Sequence, residues 1–231
     1  MLIEMRRYSI LPGRMDAMHE RMSRLLIPLF EEHGMPRPFA IWEDRNGSSI
    51  LTWLIGWPSF DERQAAWARV VPAFAAARAK QQGEEFVTRT ALTLIAPFPG
   101  HVFELDKAPS RACETAWHVQ PRIGRGAAFA AACESSIFPR LRELGGVAIT
   151  ACNYLFGALP QVAIFVTWPD AETRQVAEEA VRAEEAPGEV SKALLGAGTS
   201  FGSSGDWESL DRATYLVEWD SSQALNSRAG A

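Results

Sequence analysis

The sequence predicts an α+β chain in which one β-α-β-β-α-β unit occurs twice, and three observations carry that prediction. The first is self-similarity at a fixed offset of 111 residues: Gly13-Arg14 falls on Gly124-Arg125, Pro28 on Pro139, Gly34 on Gly145, Trp57-Pro58 on Trp168-Pro169, and Arg63-Gln64 on Arg174-Gln175. These matches sit at turns, helix breaks and a strand-to-helix junction, where a repeated unit constrains its backbone. The second is a hydrophobic period that switches between two and three-to-four residues in the same order in each half. The third is bulk composition: 231 residues, 47% hydrophobic and 22% charged, suffice for two halves of ordinary domain size, each with a core.

Residues 2–10 alternate as a strand, with Leu2, Glu4, Arg6, Tyr8 and Ile10 on one face and Ile3, Met5, Arg7 and Ser9 on the other. Pro12-Gly13 is a turn. A helix follows from about Arg14 to His33, its stripe made by Met15, Met18, Met22, Leu25, Leu26 and Leu29. Pro28 removes a backbone donor and is expected to kink the last turn, and Gly34 ends the helix as a C-cap glycine. Residues 38–44 form a strand, Asn46-Gly47 a hairpin turn, and 50–57 a return strand apolar on both faces. Ser59 with Glu62 three residues on makes a capping box. The second helix runs to about Gln82 with an interruption near Pro72, and 84–94 is the fourth strand.

The second half repeats this order. It has a strand at 113–120, a helix from about Ile123 to Leu144, strands near 147–156 and 161–168, a helix starting at Asp170, and a last strand from about Ala213 to Trp219. Before that strand comes an insertion with a glycine- and serine-rich run, Gly196 to Gly205. Domain boundaries follow: 1–98 as the first repeat, 99–112 as a linker, 113–220 as the second, diverged repeat, and 221–231 as a disordered tail.

A β-α-β-β-α-β unit folds as a ferredoxin-like antiparallel sheet with both helices on one face. The other face is too apolar to meet water. Its economical partner is the same face of the other copy, so the two sheets are expected to pack face to face as a pseudo-dimeric α/β barrel with helices outside.

Net charge is −5 with the signs interspersed, which argues against nucleic acid. No apolar run is long enough to cross a bilayer as a helix, and Met1 to Ile10 reads as a strand, not a signal peptide. Cys113, Cys133 and Cys152 are odd in number and form no Cys-x-x-Cys pair, so reduced thiols in a cytoplasmic protein are expected.

The segment Ile3-Glu4-Met5-Arg6-Arg7-Tyr8-Ser9-Ile10-Leu11-Pro12-Gly13 resembles the opening of NIPSNAP-type domains, in which Glu, Arg and Tyr alternate before a Pro-Gly turn. Trp57-Pro58-Ser59-Phe60-Asp61-Glu62-Arg63 and Leu94-Ile95-Ala96-Pro97-Phe98 resemble the same family's strand-to-helix junction and closing segment. The resemblance implies the dimeric α/β-barrel superfamily. The second half resembles the family less, because Thr115, Trp117 and Val119 replace Glu4, Arg6 and Tyr8. Haem-degrading members of the superfamily carry a histidine on the second helix; the matching position counted from Trp67 is Arg78, which argues against haem. No cofactor is expected.

Glu4, Arg6 and Tyr8 share a strand face and are candidates to grip a polar ligand group inside the barrel; equally, they form a buried pair that holds the sheets in register. Trp42, Trp53 and Trp117, with Trp57, Trp67 and Trp168, line an aromatic pocket or pack the core. His118, at the repeat position of Arg7, is a candidate proton carrier or a hydrogen-bonded structural residue. His19 and His33 read as surface or cap residues. Metal binding lacks support: Cys113 and His118 point to opposite faces of one strand, and no acidic or histidine cluster has ligand spacing. The Gly196–Gly205 run lacks the strand, helix and lysine of a phosphate loop. Glu178, Glu179, Glu184 and Glu185 read as a solvated helix face.

Two functions fit these residues. One is a NIPSNAP-like protein that binds a small apolar or aromatic molecule, using Glu4, Trp42, Trp53 and Trp117. The other is a cofactor-independent monooxygenase or related small-molecule enzyme, with Arg6 stabilising substrate anion charge and His118 or Tyr8 moving the proton beside Trp53. A homodimer is the expected assembly if the outer surfaces pair.

Overall fold

A computed structural model describes residues 1–44, 49–80, 85–103, 113–121, 126–156, 161–183 and 207–216. The expected Asn46-Gly47 turn, the 196–205 run and the 221–231 tail lie outside these residues, as does most of the 99–112 linker. The chain divides into two compact units, one over Met1–Leu94 and one over Ile95–Glu218.

In the first unit, strand β1 (Leu2–Ile10) leads through the turn at Gly13 into helix α1 (Met15–Arg21). A π-turn (Met22–Leu26) follows, and helix α2 (Ile27–Glu32) continues the run. Strands β2 (Ala40–Asp44) and β3 (Ile50–Trp57) precede helix α3 (Phe60–Lys80) and strand β4 (Val87–Pro97). β3 pairs antiparallel with β1, where Arg6 lies opposite Trp53, and with β2, where Trp42 lies opposite Thr52. The Leu11 N–H donates to Phe86 O and the Thr88 hydroxyl to Ser9 O, which sets the start of β4 beside β1. Alternation decides what each face buries. Tyr8, Ile10, Leu51, Trp53, Ile55 and Trp57 pack against Met18, Met22, Phe30, Ala66 and Val70 of the helices. Ile3, Met5, Trp42 and Leu54 are buried on the opposite face.

The second unit is built on the same offset. Strand β5 (Cys113–Pro121) precedes helix α4 (Gly126–Ala132), a π-turn (Cys133–Ile137) and helix α5 (Phe138–Glu143). Strands β6 (Ala148–Tyr154) and β7 (Val162–Trp168), helix α6 (Ala171–Ala183) and strand β8 (Trp207–Leu216) complete it. β5 lies between β7 and β8, β6 pairs the far edge of β7, and Ile95–Pro97 pair β6. Trp117, Ile164, Val166 and Trp168 pack against Phe129, Ile137, Phe138 and Ala177.

Four expectations are corrected in detail. Each long first helix carries a π-turn one residue before its proline, at Met22–Leu26 and Cys133–Ile137. There the Ile27 N–H reaches back five residues to Met22 O, and the Phe138 N–H to Cys133 O, so the widened turn meets Pro28 and Pro139 without demanding an N–H from them. Pro72 does not interrupt α3, because burial of Ala66 and Val70 holds the helix across the lost bond. The fourth strand starts and ends three residues later than predicted, at Val87–Pro97. The last strand is Trp207–Leu216 rather than 213–219, its register set by pairing with β5 across a bulge at His118/Val119.

Half of the predicted capping box forms: the Ser59 hydroxyl caps α3, while the Glu62 carboxylate meets that hydroxyl at 3.5 Å instead of the Ser59 N–H. The Glu62 N–H donates to Ser59 Oγ at 3.1 Å, and at the matching junction the Thr173 N–H donates to Asp170 Oδ1 at 2.7 Å. Gly34 and Gly145 both take positive φ, 66° and 98°, as helix-ending glycines do.

Candidate functional site

Period-two alternation on β1 sends Glu4, Arg6 and Tyr8 to the side of the sheet that carries the helices, not to the opposite face where the sequence reading placed a barrel interior. The correction comes from α3. Its first turns present Arg63 and Trp67, four residues apart on one helix face, to the same carboxylate. Glu4 has no exposed surface and accepts four donors. Arg6 Nε reaches Oε1 at 2.5 Å, while Oε2 takes Arg63 Nε at 2.7 Å, Trp67 Nε1 at 2.9 Å and Trp57 Nε1 at 3.2 Å. Two guanidinium charges and two indole N–H groups on one buried carboxylate satisfy the requirement that a buried charge be paired and hydrogen-bonded.

Arg6 touches both the carboxylate and the aromatic groups. Its guanidinium carbon lies 3.7 Å from the centroid of Trp67 and 5.5 Å from that of Trp53. Tyr8 meets Trp53 edge-on, with ring centroids 5.9 Å apart, and Phe30 from α2 stands 5.8 Å from Trp53 and 5.9 Å from Trp67. Burial pushes the Tyr8 phenol above its ordinary value, and the nearby Arg6 guanidinium offsets that only in part. The side chain of Arg6 keeps 16% of its surface, whereas Glu4 keeps none.

The other candidates fall elsewhere. Trp42 lies on the opposite face of the same sheet, buried, so it is not part of the Trp53–Trp57–Trp67 group. Trp117, at the repeat position of Arg6, is buried in the helix-side core of the second unit beside Phe129 and Ile164. His118 also belongs to the second unit, on the face away from its helices, where its Nδ1 and the Tyr154 hydroxyl are 2.6 Å apart. The set of Arg6, Tyr8, Trp53 and His118 therefore divides: three members share one cluster and the fourth pairs with Tyr154. Sequence reading missed Arg63, Trp67 as a donor to Glu4, and Tyr154. Arg63 had a signal in its recurrence as Arg174; Tyr154 had none. The second unit keeps a neutral version of the first unit's contact, with Trp168 Nε1 donating to Thr115 Oγ1 at 3.0 Å where Trp57 meets Glu4.

Among the described residues, no group of three or more His, Cys, Asp or Glu side chains could hold a metal ion, and no helix is long and apolar enough to cross a membrane. The described residues form a mixed α+β fold of antiparallel strands and helices, similar to solved structures of the dimeric α/β-barrel fold. Solved structures with this fold include an anthrone oxidase-like protein (TM-score 0.57, 17% identity, 93% of this chain and 90% of that one). A proposed monooxygenase from Lactobacillus acidophilus matches at TM-score 0.55 and 8% identity over 93% and 92% of the two chains. A heme-binding protein from Thermus thermophilus matches at 0.52 and 14% over 100% and 95%. No curated protein matches in sequence. In sequence, residues 3–100 match the NIPSNAP family model.

The position in α3 where the resemblance places an axial histidine is Arg78, and three of the four histidines have protein partners. Arg78, where an axial histidine is expected by position, donates to Glu85 at 3.0 Å. His101 has Nε2 on Glu134 and Nδ1 on the Ala151 N–H, and His118 has Nδ1 on Tyr154. His19 stands 3.4 Å from Glu43.

Proposed function

We propose that the protein binds a small aromatic or apolar molecule bearing an oxygen acceptor, at the helix-side cluster of the first unit, with Arg6 as the polar anchor and Trp53 and Trp67 as the flat walls. One observation carries this reading: the cluster's groups are donors or saturated acceptors. Glu4 is filled by four N–H donors. Tyr8 holds its proton more firmly than a free phenol. Such a site favours an acceptor oxygen and offers no base. Trp42, on the opposite face of the sheet, and Trp117, in the core of the second unit, are secondary in this reading.

The monooxygenase alternative keeps one supporting observation, the gathering of Arg6, Tyr8 and Trp53 in one place. Arg6 would then hold substrate anion charge and Tyr8 would donate a proton. His118, paired with Tyr154 in the second unit, is not counted in that gathering. The family's own activity is uncharacterised, and the likeness to oxygenases is one of fold.

The test is native mass spectrometry of the purified protein, which reads co-purified ligand and subunit number together, followed by titration with 1-anilinonaphthalene-8-sulfonate. Saturable quenching of tryptophan emission that falls at least tenfold in affinity in Arg6→Ala supports the site. An unchanged response in that variant, with no co-purified molecule, removes it. Oxygen uptake on adding phenolic or enolisable substrates separates the alternative.

The same reading includes a reducing cytoplasmic setting, in keeping with Cys133 and Cys152 as free buried thiols, and a homodimer as the working assembly. It also takes the two units as diverged copies of one ferredoxin-like repeat whose sheets pack face to face with helices outside. The shared 111-residue offset of π-turns, capped junctions and positive-φ glycines supports duplication. The burial of Ile3, Leu54, Ala116 and Ala163 on the helix-free faces supports the packing. Cysteine pairs introduced one on each of those faces should oxidise to disulfides; a scan in which none forms argues against it.

A further inference from the structure

A second charged cluster lies in the first unit, separate from Glu4 and Arg6. It joins α1, the end of α3 and the entry to β4, and Glu85 supplies its carboxylate. Oε1 accepts Arg21 Nη1 at 2.7 Å and the N–H groups of Phe86 and Val87 at 2.9 and 2.8 Å, and Oε2 accepts Arg78 Nη2 at 3.0 Å. Both Arg21 and Arg14 stand over the Phe86 ring, with guanidinium carbons 3.8 and 5.4 Å from its centroid. Two guanidinium groups thus share one carboxylate that already accepts four donors, and a third, Arg14, stands over the ring of the next residue.

The Arg21 side chain is only 6% exposed, and its Nη2 has no hydrogen-bond partner. A buried guanidinium N–H left unpaired is costly, and Arg14 stacked on the same phenyl ring adds like charge to it. One additional group resolves both: an oxyanion, which offers paired acceptor oxygens to the planar fork of arginine. Arg14 is exposed, and its guanidinium carbon lies 5.4 Å from the centroid of the same ring.

We propose that Arg14, Arg21 and Arg78, floored by Phe86, form a binding site for a small oxyanion, a phosphate or a carboxylate, distinct from the aromatic cluster around Arg6. Arg21 supplies the fork, Arg14 the exposed cap and Arg78 supporting charge, while Glu85 holds the fork in place and limits affinity.

The experiment is calorimetric titration of the full chain with sodium phosphate and, separately, with sodium acetate, against sodium chloride at matched ionic strength. The expected result is saturable binding of at least one oxyanion that chloride does not reproduce, and the arm that saturates identifies the ligand class. Arg14→Ala should weaken it about tenfold with the thermal midpoint of the free protein nearly unchanged, since Arg14 is a surface residue. Arg21→Lys keeps the charge and loses the fork, and should weaken it more. Arg6→Ala should leave it unaltered, which separates this site from the aromatic one. A response equal to that of chloride, or undiminished in Arg14→Ala, overturns the proposal.

Discussion

Glu4 shows how much one side chain can organise. Its carboxylate is a common acceptor for groups from β1, β3 and α3, so removing its charge strands two guanidinium groups at once. Glu4→Gln, which keeps the shape, should lower unfolding free energy by about 3 kcal/mol, the range for breaking one side of a buried pair. Urea denaturation measures this, and a loss below about 1 kcal/mol would mean that the guanidinium groups find water instead. Tyr8 gives a pH test. Its phenol loses its proton less readily in the folded state than in the unfolded chain, because burial disfavours phenolate. Its contribution is fully present below the ordinary phenol value of 10.0 and declines as pH rises through the higher folded value. Stability of the wild type should therefore fall more steeply between pH 10 and the folded value than that of Tyr8→Phe, as followed by urea midpoints across alkaline buffers. That Glu4, Arg6 and Tyr8 share a face was legible from period-two alternation alone. That α3 would deliver Arg63 and Trp67 to Glu4 was not, because a residue 59 or 63 positions away is brought there only by packing.

At the scale of elements, the two prolines at Pro28 and Pro139 announced a disturbance and left its form open. A kink and a π-turn both dispose of the missing N–H, and the choice between them depends on how the widened turn seats Met22 and Leu26, or Cys133 and Ile137, in the core. The glycines that end these helices were plain in sequence, yet they are not equivalent. A Cβ on Gly34 meets nothing closer than 4.0 Å, whereas one on Gly145 meets Thr173 Cγ2 at 2.7 Å. Gly34→Ala should therefore cost about 1 kcal/mol, the expense of a left-handed conformation alone. Gly145→Ala should cost roughly 1 kcal/mol more because the Thr173 methyl must give way. Equal losses by chemical denaturation would contradict the geometry. The Ser59 cap was equally plain, since Ser and Glu three apart before an apolar run is a local signal; Ser59→Ala should remove about 1 kcal/mol in the same assay.

Across the whole molecule, burial decides which groups chemistry can reach. Cys133 and Cys152 are fully buried, and desolvation raises both thiols, that of Cys133 to about 12 and that of Cys152 further. Neither should react with a disulfide reagent in the native protein at pH 8, and both should react on unfolding in denaturant, as peptide mapping by mass spectrometry would record. Rapid native labelling of either would show that its core opens locally.

By itself the sequence determined the order of elements, the recurrence of turn, cap and glycine signals at a 111-residue offset, and the alternation that assigns each strand residue to a face. These are properties of neighbours along the chain, where backbone geometry and short-range hydrogen bonds act. Only the tertiary structure decided which face of each sheet the helices cover, that Trp42 parts from Trp53, that His118 meets Tyr154, and that Arg21 keeps an unanswered N–H. Those outcomes depend on contacts between residues far apart in sequence, and alternation says that two faces differ without saying what lies against either.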